Sequence, residues 1–431
     1  MRSQVCRSFP PLRPVAQTPA RTPHTLSESQ VREYKSEAFV YQGRPGAVTR
    51  ETLSIECGPT DLVVEVSMCA RCGTDKTIYR HGHPNVDPYA PVVLGHELVG
   101  RIVEVGSRVR ELKEGIGYRK GDTLSAEYLD FQAGERVVFQ SRIARHNQDG
   151  LMLIPEPIAN LSFQINGGYS QYMKVPEAMI RSESVLRVPG NATDEEACLV
   201  EPAACALESI FATPHPVGVD AEGRHTYVAG IRPGSKVCVI GSGTVSMIYA
   251  LLTILEGAGR LVMVVRSAAK EKLVKNLLGE KADVYVAPRL ADDASPETLA
   301  VEDAVVLDLA RLTGGHLFDD VIAACASSSA QRLMLKLYTR EGYAVGACFG
   351  GTHQLVEAAD LDVHHYRAGK TIGTSGCSTS CMKTVLKWLG NRRLDLKGLI
   401  AERRFTLDDD PHEFFTTEAD GRKPALCPGV K

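Results

Sequence analysis

An α/β protein is expected from this chain: a β-rich domain interrupted by an inserted, doubly wound parallel-sheet domain and then resumed. Three observations lead there. Short β-like runs broken by Gly and Pro fill residues 34–204. Apolar strands and amphipathic helices then alternate through residues 205–352, the pattern of parallel strands joined by crossover helices. After Gly351 the text returns to loop-like segments with one more helix, so residues 353–431 are expected to rejoin the first domain.

In chain order, residues 1–33 carry four arginines and five prolines before the first acid, Glu28. Such a composition suits a disordered arm or an organelle transit peptide and lacks the apolar centre of a secretory signal. The strands of the first domain are read in EAFVYQG, LSIEC, DLVVEVSMCARCG, GRIVEVG, ERVVFQ and GGYSQYMKV. VRELKEGIGYRKGD, near residues 109–122, interrupts them as an inserted surface loop, and a helix from Glu195 to Phe211 leads out. The alternating domain reads KVCVIG, SMIYALLTILEGA, LVMVV, AAKEKLVKNLLGE, ADVYVA, FDDVIAAC, SSAQRLMLKLY and EGYAVGACFGG; the last helix lies in CMKTVLKWLGNRRLDLKGLI.

At 431 residues the chain accommodates two domains and a tail. A net charge of −3 with both signs mixed offers no basic stripe for a phosphate backbone, so nucleic acid is excluded as a partner. The uncharged run Val237–Leu255 has nearly the length of a membrane span. Its internal Gly-Ser-Gly-Thr makes a strand, a tight turn and a buried helix the better account, so no membrane is expected. The 12 cysteines are scattered without a secretory signal, which fits reduced thiols in a cytoplasmic compartment, or in an organelle if the arm is a transit peptide. Cys198, Cys205, Cys238, Cys325 and Cys348 sit in apolar runs as small core residues.

Gly241, Ser242, Gly243, Thr244, Val245 and Ser246 follow a predicted strand and open a predicted helix, the setting in which a glycine-rich turn cradles a pyrophosphate. Ser246 stands where a third glycine is usual. The end of the next strand normally bears an acid for the ribose of NAD, but here the text is Arg266-Ser267-Ala268-Ala269-Lys270. Arg266, Ser267 and Lys270 suit a 2′-phosphate, so NADP is favoured over NAD; the alternative is that they are solvated charges and that NAD binds through backbone alone.

Cys72, His96 and Glu201 arrive singly from three separate turns. A thiolate, an imidazole and a carboxylate are the donors of an open, catalytic zinc site, whose remaining position takes water or substrate. Thiolate and carboxylate together cancel the charge of the ion. Glu97 as a fourth ligand would leave the site anionic, so it is placed behind the ligands. Thr74 is read as the proton relay, or else as a turn hydroxyl, and Asp75 as a residue that orients His96 or a neighbouring base. Cys69 with Cys72 could instead be a redox pair or half a zinc ribbon, with Cys377 and Cys381 as the other half. His81 and His83 are read as solvated loop residues within reach of the pocket.

The order C-G-T-D, G-H-E, E-P and G-x-G-x-x-S resembles the zinc-dependent medium-chain alcohol dehydrogenases, near the sorbitol, sugar-phosphate and threonine dehydrogenase branch, over about residues 34 to 400. The resemblance implies a GroES-like catalytic domain with an inserted Rossmann domain. It places Cys72, His96 and Glu201 on the ligand positions of one catalytic zinc, Glu97 on the outer-sphere glutamate and Thr74 on the hydroxyl relay. It also implies a segment near the cofactor cleft at Tyr366-Arg367 and Gly373-Thr374-Ser375, a small-molecule alcohol or ketone substrate, and a homodimer or homotetramer. The region that carries a four-cysteine structural zinc lobe in many relatives has no cysteine here, so no second zinc is expected. Expected competitors are a zinc-free NADPH quinone or enone reductase and a non-catalytic dinucleotide-binding protein.

Overall fold

The computed structural model describes residues 32–116, 123–146, 152–350 and 355–429. Nearly all of the expected arm and part of the expected surface loop lie outside the described residues.

The β-rich domain is built on a seven-stranded sheet. Its order runs Val185–Arg187, Arg136–Phe139, Glu97–Val105, Leu62–Ala70, Lys423–Leu426, Ile400–Phe405, with Tyr172–Val175 pairing on Leu62–Ala70 as well. Two of these strands come from beyond residue 400, so the chain does rejoin its first domain. The register decides the rest: Leu62–Ala70 runs antiparallel to Glu97–Val105 with Ala70 opposite Glu97, and Ala425 lies opposite Ala70 on the other side. Residues just past Ala70, just before Glu97 and just before Ala425 therefore meet at one end of the sheet.

Val237–Leu255 resolves into the strand Lys236–Ile240, a turn and the helix Thr244–Leu255, as its internal glycines require. Among the described residues no helix is long and apolar enough to cross a membrane. The strand is the centre of a six-stranded, wholly parallel sheet ordered Asp283–Val286, Arg260–Val265, Lys236–Ile240, Asp320–Ala323, Val345–Cys348, Lys370–Gly373. The order reverses between Lys236–Ile240 and Asp320–Ala323, which opens a crevice at their carboxyl ends. The sheet runs past the boundary expected at residue 352. Its last strand, Lys370–Gly373, alternates half-buried and exposed residues and is too short and too polar to stand out in the sequence. An exposed hairpin, Pro214–Val219 with His225–Ala229, precedes the sheet.

The helix Val200–Phe211 buries almost every side chain and joins the two domains. It packs on Thr244–Leu255 and on Thr379–Gly390. One apolar core runs from Met68 and Val99 through Leu207 and Met247 to Val385.

Gly95, at the turn into His96, has φ +94°, and a Cβ there would fall 2.7 Å from both the Cys69 sulfur and the Tyr169 ring. Gly134 has nearly the same angle, +92°, in open space. Gly134→Ala is expected to cost about 1 kcal/mol of backbone strain alone. Gly95→Ala adds overpacking and is expected to cost about 2 kcal/mol more. Urea denaturation of the two variants in parallel separates the contributions, and equal losses would show that the Gly95 site has room.

Candidate metal and dinucleotide site

Cys72 caps the helix Gly73–His81. Its sulfur accepts the Thr74 N–H at 3.4 Å, and the Asp75 carboxylate reaches back to the Cys72 N–H at 3.1 Å. The positive end of the helix thus favours an anion at the sulfur. His96 and Glu97 arrive from the opposed strand end. The donor atoms of Cys72, His96 and Glu97 lie within 4.8 Å of one another.

Nδ1 of His96 is 3.1 Å from the Ser162 hydroxyl, while the Asp75 carboxylate stands at 3.7 Å, beyond hydrogen-bonding reach. Ser162 therefore hydrogen-bonds His96 at Nδ1, and Asp75 faces the same nitrogen as a charge. Asp75 instead accepts the Tyr169 hydroxyl at 2.6 Å, with both groups fully buried. Burial acts to lower the pKa of His96, but Cys72, Asp75 and Glu201 outweigh it and hold it well above the usual histidine range. The pocket accordingly favours positive charge at its centre.

Glu97 is buried and bonded through Oε1 to Lys423 Nζ at 2.6 Å; its Oε2 is buried without a hydrogen-bond partner. Burial works against the Lys423 ammonium, and the charges of Glu97, Cys72 and Glu201 overcome it and raise its pKa. Lys423 changes the charge argument drawn from the sequence: it balances Glu97, so proximity of that carboxylate no longer makes the pocket anionic. A soft thiolate, an imidazole, nearby carboxylates and an orphaned carboxylate oxygen fit a zinc-type cation.

Glu201 lies outside this trio. Its Oε1 accepts the Ser141 hydroxyl at 3.1 Å and the Cys205 thiol at 3.6 Å, and its own group comprises Glu201, Cys205 and Cys377. The pairing of Cys69–Cys72 with Cys377–Cys381 in one cluster does not occur among the described residues. Cys69 is fully buried beside Gly95, and burial pushes its thiol up. No disulfide joins the described cysteines. His83 packs its ring on Phe163 at 5.3 Å and joins neither group; nor does His81. Tyr366 is exposed.

At the crevice, Gly241 takes φ +132°, and a Cβ would approach the Ser246 hydroxyl to 2.5 Å. Ser246 repays the missing glycine by donating to the Ala324 carbonyl at 3.4 Å across the sheet. Gly243 caps the helix, whose first N–H groups face the crevice end as anion donors. Val245 is half-buried behind them. The Thr244 side chain is committed elsewhere, to the carbonyls of Leu399 at 3.1 Å and Gly421 at 3.2 Å. Arg266 and Ser267 are exposed at the end of the adjacent strand; the Ser267 oxygen accepts the Lys270 N–H at 3.3 Å.

The architecture is thus a β-rich domain interrupted by a six-stranded parallel sheet, with a thiol, imidazole and carboxylate cluster at the strand ends of the first domain. Residues 58–117 match the alcohol dehydrogenase GroES-like domain. The chain is 28% identical to D-arabinitol dehydrogenase 1 of Uromyces fabae over 62% of each protein. It is 25% identical to (R,R)-butanediol dehydrogenase of Bacillus subtilis over 60% of this chain and 61% of that one. The matched stretch thus spans less than two thirds of these relatives. A Sinorhizobium meliloti structure bound to NADP superposes with TM-score 0.71 at 21% identity, covering 92% of this chain and 100% of that one. The chain is thus similar to alcohol, diol and polyol dehydrogenases over part of its length, and its likeness to the solved structure shows a shared fold.

Sequence reading missed Ser162, Tyr169 and Lys423. Tyr169→Phe is expected to lower stability by about 2 kcal/mol, because Asp75 loses a charge-assisted bond in a dry site. Denaturant unfolding reads this directly; an unchanged midpoint would mean that the hydroxyl contributes nothing.

Proposed function

We propose that this chain is an NAD(P)-dependent dehydrogenase that interconverts a secondary alcohol of the polyol, sugar or sugar-phosphate kind with its ketone, preferring NADP. The observation that carries this reading is the convergence of Cys72, His96 and Glu97, with Glu201 beside them, in a chain that also builds the glycine turn at Gly241. The named relatives act on polyols and diols, which supports the substrate class.

Cys72 and His96 would hold one zinc, with Glu201 as third donor; bound there, the ion supplies a Lewis acid that makes a hydroxyl acidic near neutral pH. Ser162 fixes the His96 ring through Nδ1 and leaves Nε2 for the ligand bond. Ser141 steadies Glu201, and Lys423 holds Glu97 in place through the bond to its Oε1. Thr74, half-buried on the first turn beside Cys72, takes the substrate proton and passes it outward. The backbone of Gly241 to Ser246 would hold the pyrophosphate of a nicotinamide cofactor, which when bound would supply the hydride acceptor.

Cys72→Ser is expected to empty the Cys72–His96 position of zinc and to lower alcohol oxidation by at least about 100-fold. Metal analysis, with nicotinamide absorbance over a panel of polyols, sugar phosphates and amino alcohols, tests both; a zinc-free chain that reduces quinones or enones overturns the reading. Arg266→Asp is expected to move the NADP to NAD preference by about tenfold towards NAD, since a carboxylate repels a 2′-phosphate. An unchanged ratio of kcat/KM values for the two cofactors would assign Arg266 to solvent.

A further inference from the structure

Beyond the zinc position named above, a second group of donors stands fully formed. Glu201 and Cys205 are one helical turn apart on Val200–Phe211 and so share a face. Cys377 comes from much later in the chain, four residues past the last strand of the parallel sheet. Its approach is fixed on both sides: the Gln140 amide donates to the Cys377 carbonyl at 2.9 Å, and Glu208 accepts the Ser378 N–H at 3.0 Å. All three side chains are buried, and their donor atoms lie within 4.8 Å of one another.

We propose that Glu201, Cys205 and Cys377 form a second metal locus, selective for a thiophilic divalent cation such as zinc or cadmium, which shares Glu201 with the Cys72–His96 locus. The spacing supports it. A tetrahedral ion with about 2.3 Å to sulfur and about 2.1 Å to oxygen sets sulfur and oxygen about 3.6 Å apart. Cys205 Sγ and Glu201 Oε1 stand at 3.6 Å. The Cys205 and Cys377 thiols also hydrogen-bond each other, so the two sulfurs already face one point. Two thiolates and a carboxylate select a soft or borderline ion over magnesium or calcium. Binding releases the two thiol protons, and the ion supplies the charge that the buried thiolates otherwise lack. The locus has one carboxylate and two cysteines from distant segments, unlike a four-cysteine lobe folded on a single loop. A carboxylate has two oxygens, so Glu201 can bridge both ions.

Titration of the full chain with Co²⁺ alone tests the proposal, read by metal per chain and by thiolate-to-cobalt charge-transfer absorption. Wild type is expected to take up two equivalents. Cys205→Ser and Cys377→Ser should each abolish one of them, whereas Cys72→Ser should retain one that carries the stronger, two-sulfur absorption. Wild-type uptake without the two-sulfur absorption, or an uptake unchanged in the double variant Cys205→Ser/Cys377→Ser, overturns the proposal. Because the wild-type spectrum needs no variant, a poorly folding substitution does not obscure the result. Failure of the dehydrogenase reading looks different: the two-sulfur absorption stays, and Cys72→Ser binds as much cobalt as wild type.

Discussion

The pairing of Leu62–Ala70 with Glu97–Val105 is the constraint on which the site rests. With Ala70 opposite Glu97, the chain leaving one strand supplies Cys72 and the chain entering the other supplies His96. Side chains alternate faces along a strand, so a slip of one residue would turn Glu97 out of the pocket and unseat both neighbours. The glycine before His96 is part of the same constraint. Its positive φ aims the histidine inward, and its missing Cβ leaves room for the Cys69 sulfur and the Tyr169 ring. Two register irregularities, between Val63 and Val64 and between Val66 and Met68, lie farther back along the strand and leave the last pairs at the site aligned.

Onto this pair the chain adds a third strand from its far end, and with it the charge the pocket lacks. Ala425 lies opposite Ala70, which brings Lys423 against Glu97 and its ammonium near the Arg71 carbonyl, 3.4 Å away. A buried carboxylate in this position is costly without a partner, and a buried lysine equally so; each is tolerable because of the other. The pair is also what lets several anions crowd one cavity. Asp75 is contained separately, its charge dispersed by the Cys72 N–H and the Tyr169 hydroxyl. The remaining deficit of positive charge at His96 is what suits the cavity to a cation.

The sequence made legible what local chemistry dictates. Gly241 to Ser246 could be read because a strand, a turn with φ that only glycine takes easily and a helix all fall within a dozen residues. Cys72 and His96 stood out because their residue types are rarely idle on turns. Ser162, Tyr169 and Lys423 were invisible for a different reason: each acts through a partner 66, 94 or 326 positions away, a relation no local window contains. Lys423 was further disguised, since a charged residue opening a four-residue strand looks like a solvated edge. Cys205 read as core filler because apolar neighbours surround a buried donor as readily as a buried methyl group, and Cys377 stood out only as a partner of Cys381. The strand Lys370–Gly373 and the hairpin Pro214–Ala229 were missed because their residues are largely exposed, and the apolar pattern that marks a strand comes from burial rather than from pairing.

The two domains are not merely adjacent. Thr244, in the first turn of the nucleotide-type helix, donates to carbonyls of Leu399 and Gly421, which belong to the returning segment of the β-rich domain. Cys377, just beyond the parallel sheet, reaches Glu201 on the helix that spans both cores. A movement that widened the crevice at the Gly241 turn would have to break the Thr244 bonds and shear an apolar core common to both domains. Packed cores resist continuous deformation, so the join between the two domains is stiff at this end. The Thr244 bonds and the shared core thus tie the glycine turn to the strand ends that carry the donors.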